Sequence, residues 1–541
     1  MNQRVSKRIV EIQTLSERLS NLCNQIIYNY GEIINYTNQI DKLSQSSNLD
    51  LYEIQELETL SDKLNNVKIS IDQNVEFWTT QCNNLNNALR NTLPEIFAII
   101  NGPHCNQSLN CNGVPIPDKE QACQSWCESL TCICLNVRHE LTLIAAYFPV
   151  WEEIFNNMRY DADNMVGQLV KNTFIIEKQP PQVIRTNKQF QASIRSLIGG
   201  LFNSNNTLFN SSSVSVSILS ESQAILMISQ EDNSLFSDAS GEISNSESSL
   251  EYQSTTGQSI AHFEHLILKK INRTEKKGTE SVTDEKFALL FQATIKLGEL
   301  VFHVKALSSP LVVIVHGNQE NHAWATITWD NASQISSVDR IPFIVPDEIL
   351  WARVGHVLSN KFSSNVGCNL APRDLRFLAR TAFRDPSLLD FENLYLSRAQ
   401  FSKAPLPNRD FTFWEWFYSI LKLNREHLKD LWQPQRLIHG FISRKDAEDA
   451  LMDKPEGTFL LRFSEKKLGA ISIACRAHST FGNSVYMVEP YSLNDLYSVS
   501  LSERIHYTRR LKYLYPNIPK EQVFKFTETL TPGYVAGSFL S

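Results

Sequence analysis

Hydrophobic positions in the first 93 residues recur at steps of three and four. Val5, Ile9, Ile12, Leu19 and Ile26 share one stripe. After a polar break near Ser44–Asp50 it resumes through Leu57, Leu60, Leu64, Ile71, Val75, Trp78, Leu85 and Leu89. A period sustained this long predicts long amphipathic helices, each running about 60–65 Å. A Cys-, Asn- and Pro-rich loop, Gly102 to Pro117, separates them from two more helical patterns, about Lys119–Leu143 and Val150–Lys171. Trp78, Trp126 and Trp151 lie in the stripes and need a wider core than a two-stranded coil offers. The prediction is an antiparallel four-helix coiled coil.

At Phe174–Pro181 the period changes and two prolines exclude further helix. Val214, Val216 and Ile218 alternate with serines, as in a half-buried strand. Leu300–Lys305, Leu311–Val315 and Trp324–Trp329 read as strands too, with Asn203–Ser213 and Ser237–Ser249 as long loops. These predict an all-β domain closed as a barrel or sandwich. From Pro346 helical spacing returns: Ile349, Leu350, Val354, Val357 and Leu358 share a face. The aromatic block Phe411–Phe417 opens a helix through Leu431, reading as a rigid connector core.

The last pattern is the most informative. Gly457-Thr458-Phe459-Leu460-Leu461-Arg462-Phe463-Ser464-Glu465 reads as a buried strand entered through a glycine. Alternation puts Leu460, Arg462 and Ser464 on one face and Phe459, Leu461 and Phe463 on the other. A buried guanidinium needs a partner. No carboxylate shares its face, so a distant acid or an anion from outside must supply one. A helical pattern over Trp432–Leu451 carries Arg444, and Ser464 adds a hydroxyl. Together they suit the acceptor oxygens of a phosphate.

Composition narrows the classes. The chain of 541 residues has room for three or four domains, and its net charge of −7 confines any nucleic-acid contact to a local patch. No apolar run reaches a membrane span, and the polar start is no signal peptide, so a reducing compartment is expected. Six of the ten cysteines lie between Cys105 and Cys134 without a CxxC pair, which argues against zinc. The one concentrated basic run is Lys269–Gly278, with Lys269, Lys270 and Arg273. The strand Val312–Val315 leads into His316-Gly317-Asn318-Gln319, side chains that hydrogen-bond base edges. Cations for phosphates and Asn, Gln or His for bases are the contacts a sequence-reading DNA protein needs.

This order of parts resembles the signal transducers and activators of transcription. The resemblance covers essentially the whole chain. Its most specific stretches are Phe174–Pro181, Glu280–Phe287, Val312–Gly317, the arginine strand and Tyr513-Leu514-Tyr515-Pro516. It implies a multidomain α+β chain: a four-helix coiled coil over 1–172 and an immunoglobulin-like β-barrel DNA-binding domain over 173–343. A helical linker over 344–434, an SH2 domain over 435–526 and a phosphotyrosine tail segment over 527–541 complete it. By the resemblance Arg462, Arg444, Ser464 and Glu465 bind phosphotyrosine and Tyr534 is the phosphorylation site. His316 and Asn318 face bases, Thr283 and Glu285 lie near the groove, and Lys269, Lys270 and Arg273 meet phosphates. Two chains would exchange tails and hold a palindromic duplex between them.

The implied partners are double-stranded DNA, a second copy of the chain, a tyrosine kinase and a phosphorylated receptor, with movement from cytoplasm to nucleus. No cofactor, metal, membrane insertion or small-molecule substrate is expected. Against the family pattern, the coiled coil begins at once and the chain stops seven residues after Tyr534. The competing reading is an SH2 adaptor or ubiquitin-ligase-type scaffold, but no calcium loop or zinc module appears. No phosphate loop, kinase catalytic loop or nucleophile elbow supports an enzyme.

Overall fold

Four helices open the chain: α1 (Asn2–Ser44), α2 (Leu51–Ile100), α3 (Pro117–Tyr147) and α4 (Glu152–Asn172). The computed structural model describes residues 2–45, 50–100, 117–202, 213–229, 239–273, 281–334, 343–432, 436–479 and 482–524. They form two compact bodies, one holding the described residues up to 273 and 287–309, the other 281–286 and 310 onward.

In the first body the predicted stripes are buried over much of their length, whereas Leu57 and Leu64 are only half-buried. Val5, Ile9, Ile12, Leu19, Ile71, Val75, Trp78, Leu85 and Leu89 are all buried. Arg8 pairs with Glu95 at 2.7 Å, and the Trp78 indole donates to the Leu19 carbonyl at 3.2 Å, so α1 and α2 run antiparallel. Gln13 reaches Ser129, and Ser20 donates to Glu140, which sets α3 parallel to α1. An up-down-up-down bundle follows. Its helices start or end a few residues from the expected points. The gap between α2 and α3 lies outside the described residues, with Cys105 and Cys111.

Two sheets follow. One joins β1 (Phe174–Lys178), β2 (Gln189–Ser196), β4 (Gly241–Ser244), β6 (Glu251–Gln253) and β7 (Gln258–Ile271). The other joins β3 (Ser213–Ser220), β5 (Glu247–Ser249), β8 (Phe287–Leu297) and β9 (Leu300–Leu307). Phe263 of β7 meets Phe291 of β8 with ring centroids 5.5 Å apart, so the sheets close face to face as a sandwich. Val214, Val216 and Ile218 are buried as their alternation predicts. The expected loop Ser237–Ser249 instead contains β4 and β5, strands too short and serine-rich for a hydrophobic period to mark.

The bundle grips the sandwich through polar side chains. Buried Arg195 on β2 donates to Gln124 of α3, and Gln124 donates to the Gly257 carbonyl at 2.7 Å. Glu128 accepts the Gly200 N–H at 2.8 Å. A Cβ on Gly200 would lie 2.5 Å from that Glu128 oxygen, so the approach needs glycine there.

The second body begins with β10 (Val312–Ile314) and α5 (Glu320–Gln334). The expected strand Trp324–Trp329 is therefore helical. Its Ala325, Trp329 and Ala332 share one core with α6 (Trp351–Val366), α7 (Pro372–Phe383) and α8 (Phe413–Leu423). The aromatic block is the middle of that core: Phe413, Trp414, Trp416 and Phe417 are buried. Thr412 caps α8 by accepting the Glu415 N–H at 3.2 Å, while Glu415 accepts the Thr412 N–H at 2.7 Å. The same core runs on beneath a mixed sheet built on β11 (Thr458–Phe463), every residue of which is buried. Beside β11 lie β12 (Ala470–Ser479) and β13 (Gly482–Met487), then β14 (Tyr491–Ser492), β15 (Tyr513–Leu514) and β16 (Ile518–Pro519). Helix α9 (Arg444–Met452) covers one face. It is shorter than the Trp432–Leu451 pattern, because Gly440 at φ +80 bends the chain alongside β11 before the helix starts.

Candidate functional site

The two faces of β11 divide as alternation requires. Phe459, Leu461 and Phe463 join the connector core, while Leu460 packs with Ile442, Ala447, Leu451 and Ala474 under α9. Arg462 therefore emerges on the α9 side, 7% exposed, at the N-terminal end of that helix. The strand enters through Gly457 at φ +86, where a Cβ would fall under 3 Å from Lys512 and the Arg510 carbonyl.

Here one expectation is corrected. The partner of Arg462 is neither distant nor external: its Nη2 donates to Glu465, three residues along, and its Nε donates to the Ile442 carbonyl at 3.1 Å. Glu465 lies off the strand in the following turn, so the chain bends it back over the arginine. Reading β11 as flat alternation could not show that. The same Glu465 oxygen accepts the backbone N–H of Arg444, first residue of α9, at 3.2 Å. Burial lowers the Arg462 pKa, and Glu465 opposes that shift by stabilising the charged guanidinium.

A guanidinium and a helix N-terminal N–H thus converge on one oxyanion, the arrangement that favours anions at helix starts. Arg444 directs its side chain to Glu448 at 2.8 Å and is 60% exposed. Ser464 is buried, and its hydroxyl accepts the Lys466 and Lys467 N–H groups at 3.2 and 3.0 Å. Its proton remains available to donate, while its oxygen already shapes the turn. Arg462, Arg444, Ser464 and Glu465 are therefore brought together. Sequence reading missed the connector residues that hold this turn. Arg409 Nε donates to the Glu465 carbonyl at 2.9 Å, the Trp416 indole to the Ser464 carbonyl at 2.8 Å, and the Gly469 N–H to Ser419 Oγ at 2.8 Å. Only the aromatic block hinted at them, since each lies about 50 residues upstream.

The residues expected at nucleic acid fall in both bodies. In the sandwich, the pairing of β7 with β4 slips by one between Lys270 and Leu268, so Lys269 is the extra residue of a bulge. That bulge exposes the consecutive Lys269 and Lys270 together, which a regular strand would not. Arg273 lies 5.7 Å from the Phe287 ring centroid. In the other body, His316 and Asn318 are exposed at the turn that opens α5. Gln319 Oε1 holds that turn by accepting the Val315 and His316 N–H groups at 2.9 and 3.1 Å. The expected loop is therefore a rigid helix start.

Thr283 is 3% exposed, and its hydroxyl bonds to Ser281 at 2.9 Å. Its neighbours explain the stretch: Asp284 binds Arg398 and Lys403 at 2.9 and 2.8 Å, and buried Lys286 binds Asp330 at 2.9 Å. Glu285 is half-buried. Tyr534 lies outside the described residues. Among the described residues no group of three or more His, Cys, Asp or Glu side chains could hold a metal, and no helix is long and apolar enough to cross a membrane.

A mixed sheet flanked by helices, with a buried strand arginine reaching a helix N-terminus, makes the C-terminal part an SH2-type domain, and residues 437–515 match the SH2 family. Residues 178–314 match the family described as STAT protein, DNA binding domain, and 338–417 the signal transducer and activator of transcription linker domain. The human signal transducer and activator of transcription 6 is 39% identical over 426 residues, covering 77% of this chain and 50% of that protein. The chain belongs to the signal transducer and activator of transcription family. It spans about half the length of the curated relative it matches.

Proposed function

We propose that the chain is a sequence-specific DNA-binding transcription factor switched on by tyrosine phosphorylation. A kinase at a phosphorylated receptor modifies Tyr534, and the phosphotyrosine enters the Arg462 pocket of a second copy. Two reciprocal links form one two-fold dimer. Its paired β domains hold a palindromic duplex, and the dimer moves from cytoplasm to nucleus. His316 and Asn318 read bases, Lys269, Lys270 and Arg273 hold phosphates, and no cofactor or small-molecule substrate takes part.

One observation carries this reading: Arg462 and the α9 N-terminus already converge on a carboxylate, so the site is shaped for an oxyanion. A phosphate offers more. It brings about −1.5 to −2 charges and three acceptor oxygens, enough to engage Arg462, the Arg444 N–H and the Ser464 hydroxyl together. Hydrogen bonds to charged groups contribute about 1.5–3 kcal/mol each, so losing a two-pronged contact should cost at least about 100-fold in affinity. Titration with a phosphopeptide copied from Thr531–Ser541 tests this. Arg462→Ala should abolish binding while the melting temperature confirms a folded domain, and unchanged affinity would refute the pocket.

A further inference from the structure

We infer that Glu465 is the resident anion of the phosphate pocket, a competitor that incoming phosphate must displace. This rests on the phosphotyrosine reading above and deepens it. The resemblance placed Glu465 among the residues that bind phosphotyrosine; the geometry places it where the phosphate would sit. Its carboxylate takes the Arg462 Nη2 donor and the Arg444 backbone N–H, the two donors best placed for a phosphate oxygen. Two anions cannot share one guanidinium and one helix N-terminus without repulsion, so the carboxylate leaves when phosphate arrives.

The surroundings suit such an exchange. Arg462 is 7% exposed, whereas the Glu465 side chain is 36% exposed and can swing into solvent. Its backbone cannot follow, because Arg409 holds the Glu465 carbonyl at 2.9 Å and Trp416 the Ser464 carbonyl at 2.8 Å. Displacement is therefore a side-chain rotation over a fixed turn. A monoanion gains little by replacing one carboxylate with another. A phosphate near −2 gains an additional charge against the same buried guanidinium. While the pocket is unliganded, Glu465 also keeps Arg462 neutralised, which a buried cation requires.

The test compares wild type with Glu465→Gln, which keeps an acceptor for both donors but removes the charge. Two ligands are titrated by calorimetry: the Tyr534 phosphopeptide, and the same peptide with monoanionic carboxymethyl-phenylalanine in place of phosphotyrosine. Glu465→Gln should bind the phosphopeptide about fivefold more tightly, the scale of a partly exposed charge pair. The monoanionic peptide should gain by a similar factor, because either ligand must displace the same carboxylate. Equal or weaker phosphopeptide binding would make Glu465 a support of bound phosphate and overturn the inference. A gain for one peptide alone would also overturn it, since a displaced competitor holds back both ligands. If neither protein binds the phosphopeptide, the pocket reading itself fails, an outcome distinct from binding that ignores the substitution.

Discussion

At the scale of single residues, the candidate pocket gathers the Arg462 guanidinium and the Arg444 N–H around one carboxylate. The Ser464 oxygen accepts two turn N–H groups, and the proposed phosphate contact would place a second demand on the same hydroxyl. Ser464→Ala should lower thermal stability by about 1 kcal/mol and weaken phosphopeptide binding as the turn loosens, both read by melting and titration. The exposed residues separate by role. His316→Ala should reduce preference for the cognate duplex with little change in salt dependence. Changing Lys269 and Lys270 together to Ala should lower the slope of log affinity against log salt by about 2, as two phosphate contacts are lost. Mobility shifts over a salt series distinguish them. Arg462 was legible as a buried cation because a charge in an apolar strand is anomalous. The Glu465 contact was not, because a turn reverses the chain after the strand and brings back a residue that flat alternation points elsewhere.

At the scale of elements, buried ion pairs tie the second body together. Lys286 and Asp330 are almost wholly buried, at 4% and 1% exposure, and the pair fixes the 281–286 segment to α5. Lys286→Met breaks this buried pair and should cost about 3–5 kcal/mol, visible as a lower denaturant midpoint. Asp284 acts on the same segment. Burial pushes its pKa up, but Lys403 and Arg398 outweigh that and hold it below the usual carboxylate range. A depressed folded value contributes stability above the unfolded pKa of about 3.9, lost as pH falls through the folded value. The melting-temperature gap between wild type and Asp284→Asn should therefore be full near neutrality and close only below about pH 4. Sequence likeness flagged this stretch, where Asp284 and Lys286 are held by ion pairs to Arg398, Lys403 and Asp330.

At the scale of the whole molecule, the proposal is reciprocal: each chain gives a tail and receives one. Tyr534→Phe should leave the unphosphorylated chain unchanged and prevent the phosphorylation-dependent dimer, measured by sedimentation after kinase treatment with and without DNA. A dimer surviving that change would point to another tyrosine. The order of parts was legible throughout, since a period of 3.6 or 2 needs only local sequence to express itself. The strand read over Trp324–Trp329 failed because β-branched and aromatic residues at alternate positions mimic a strand. The burial of Ala325, Trp329 and Ala332 in the connector core overrode that preference. By itself, the sequence determined the succession of helical and extended segments and the presence of a buried cation, because both follow from spacing and polarity. Only the tertiary structure decided which groups neutralise that cation and which conserve the fold. Those partners come from turns, helix ends and a connector about 50 residues away, which meet only when the chain has packed.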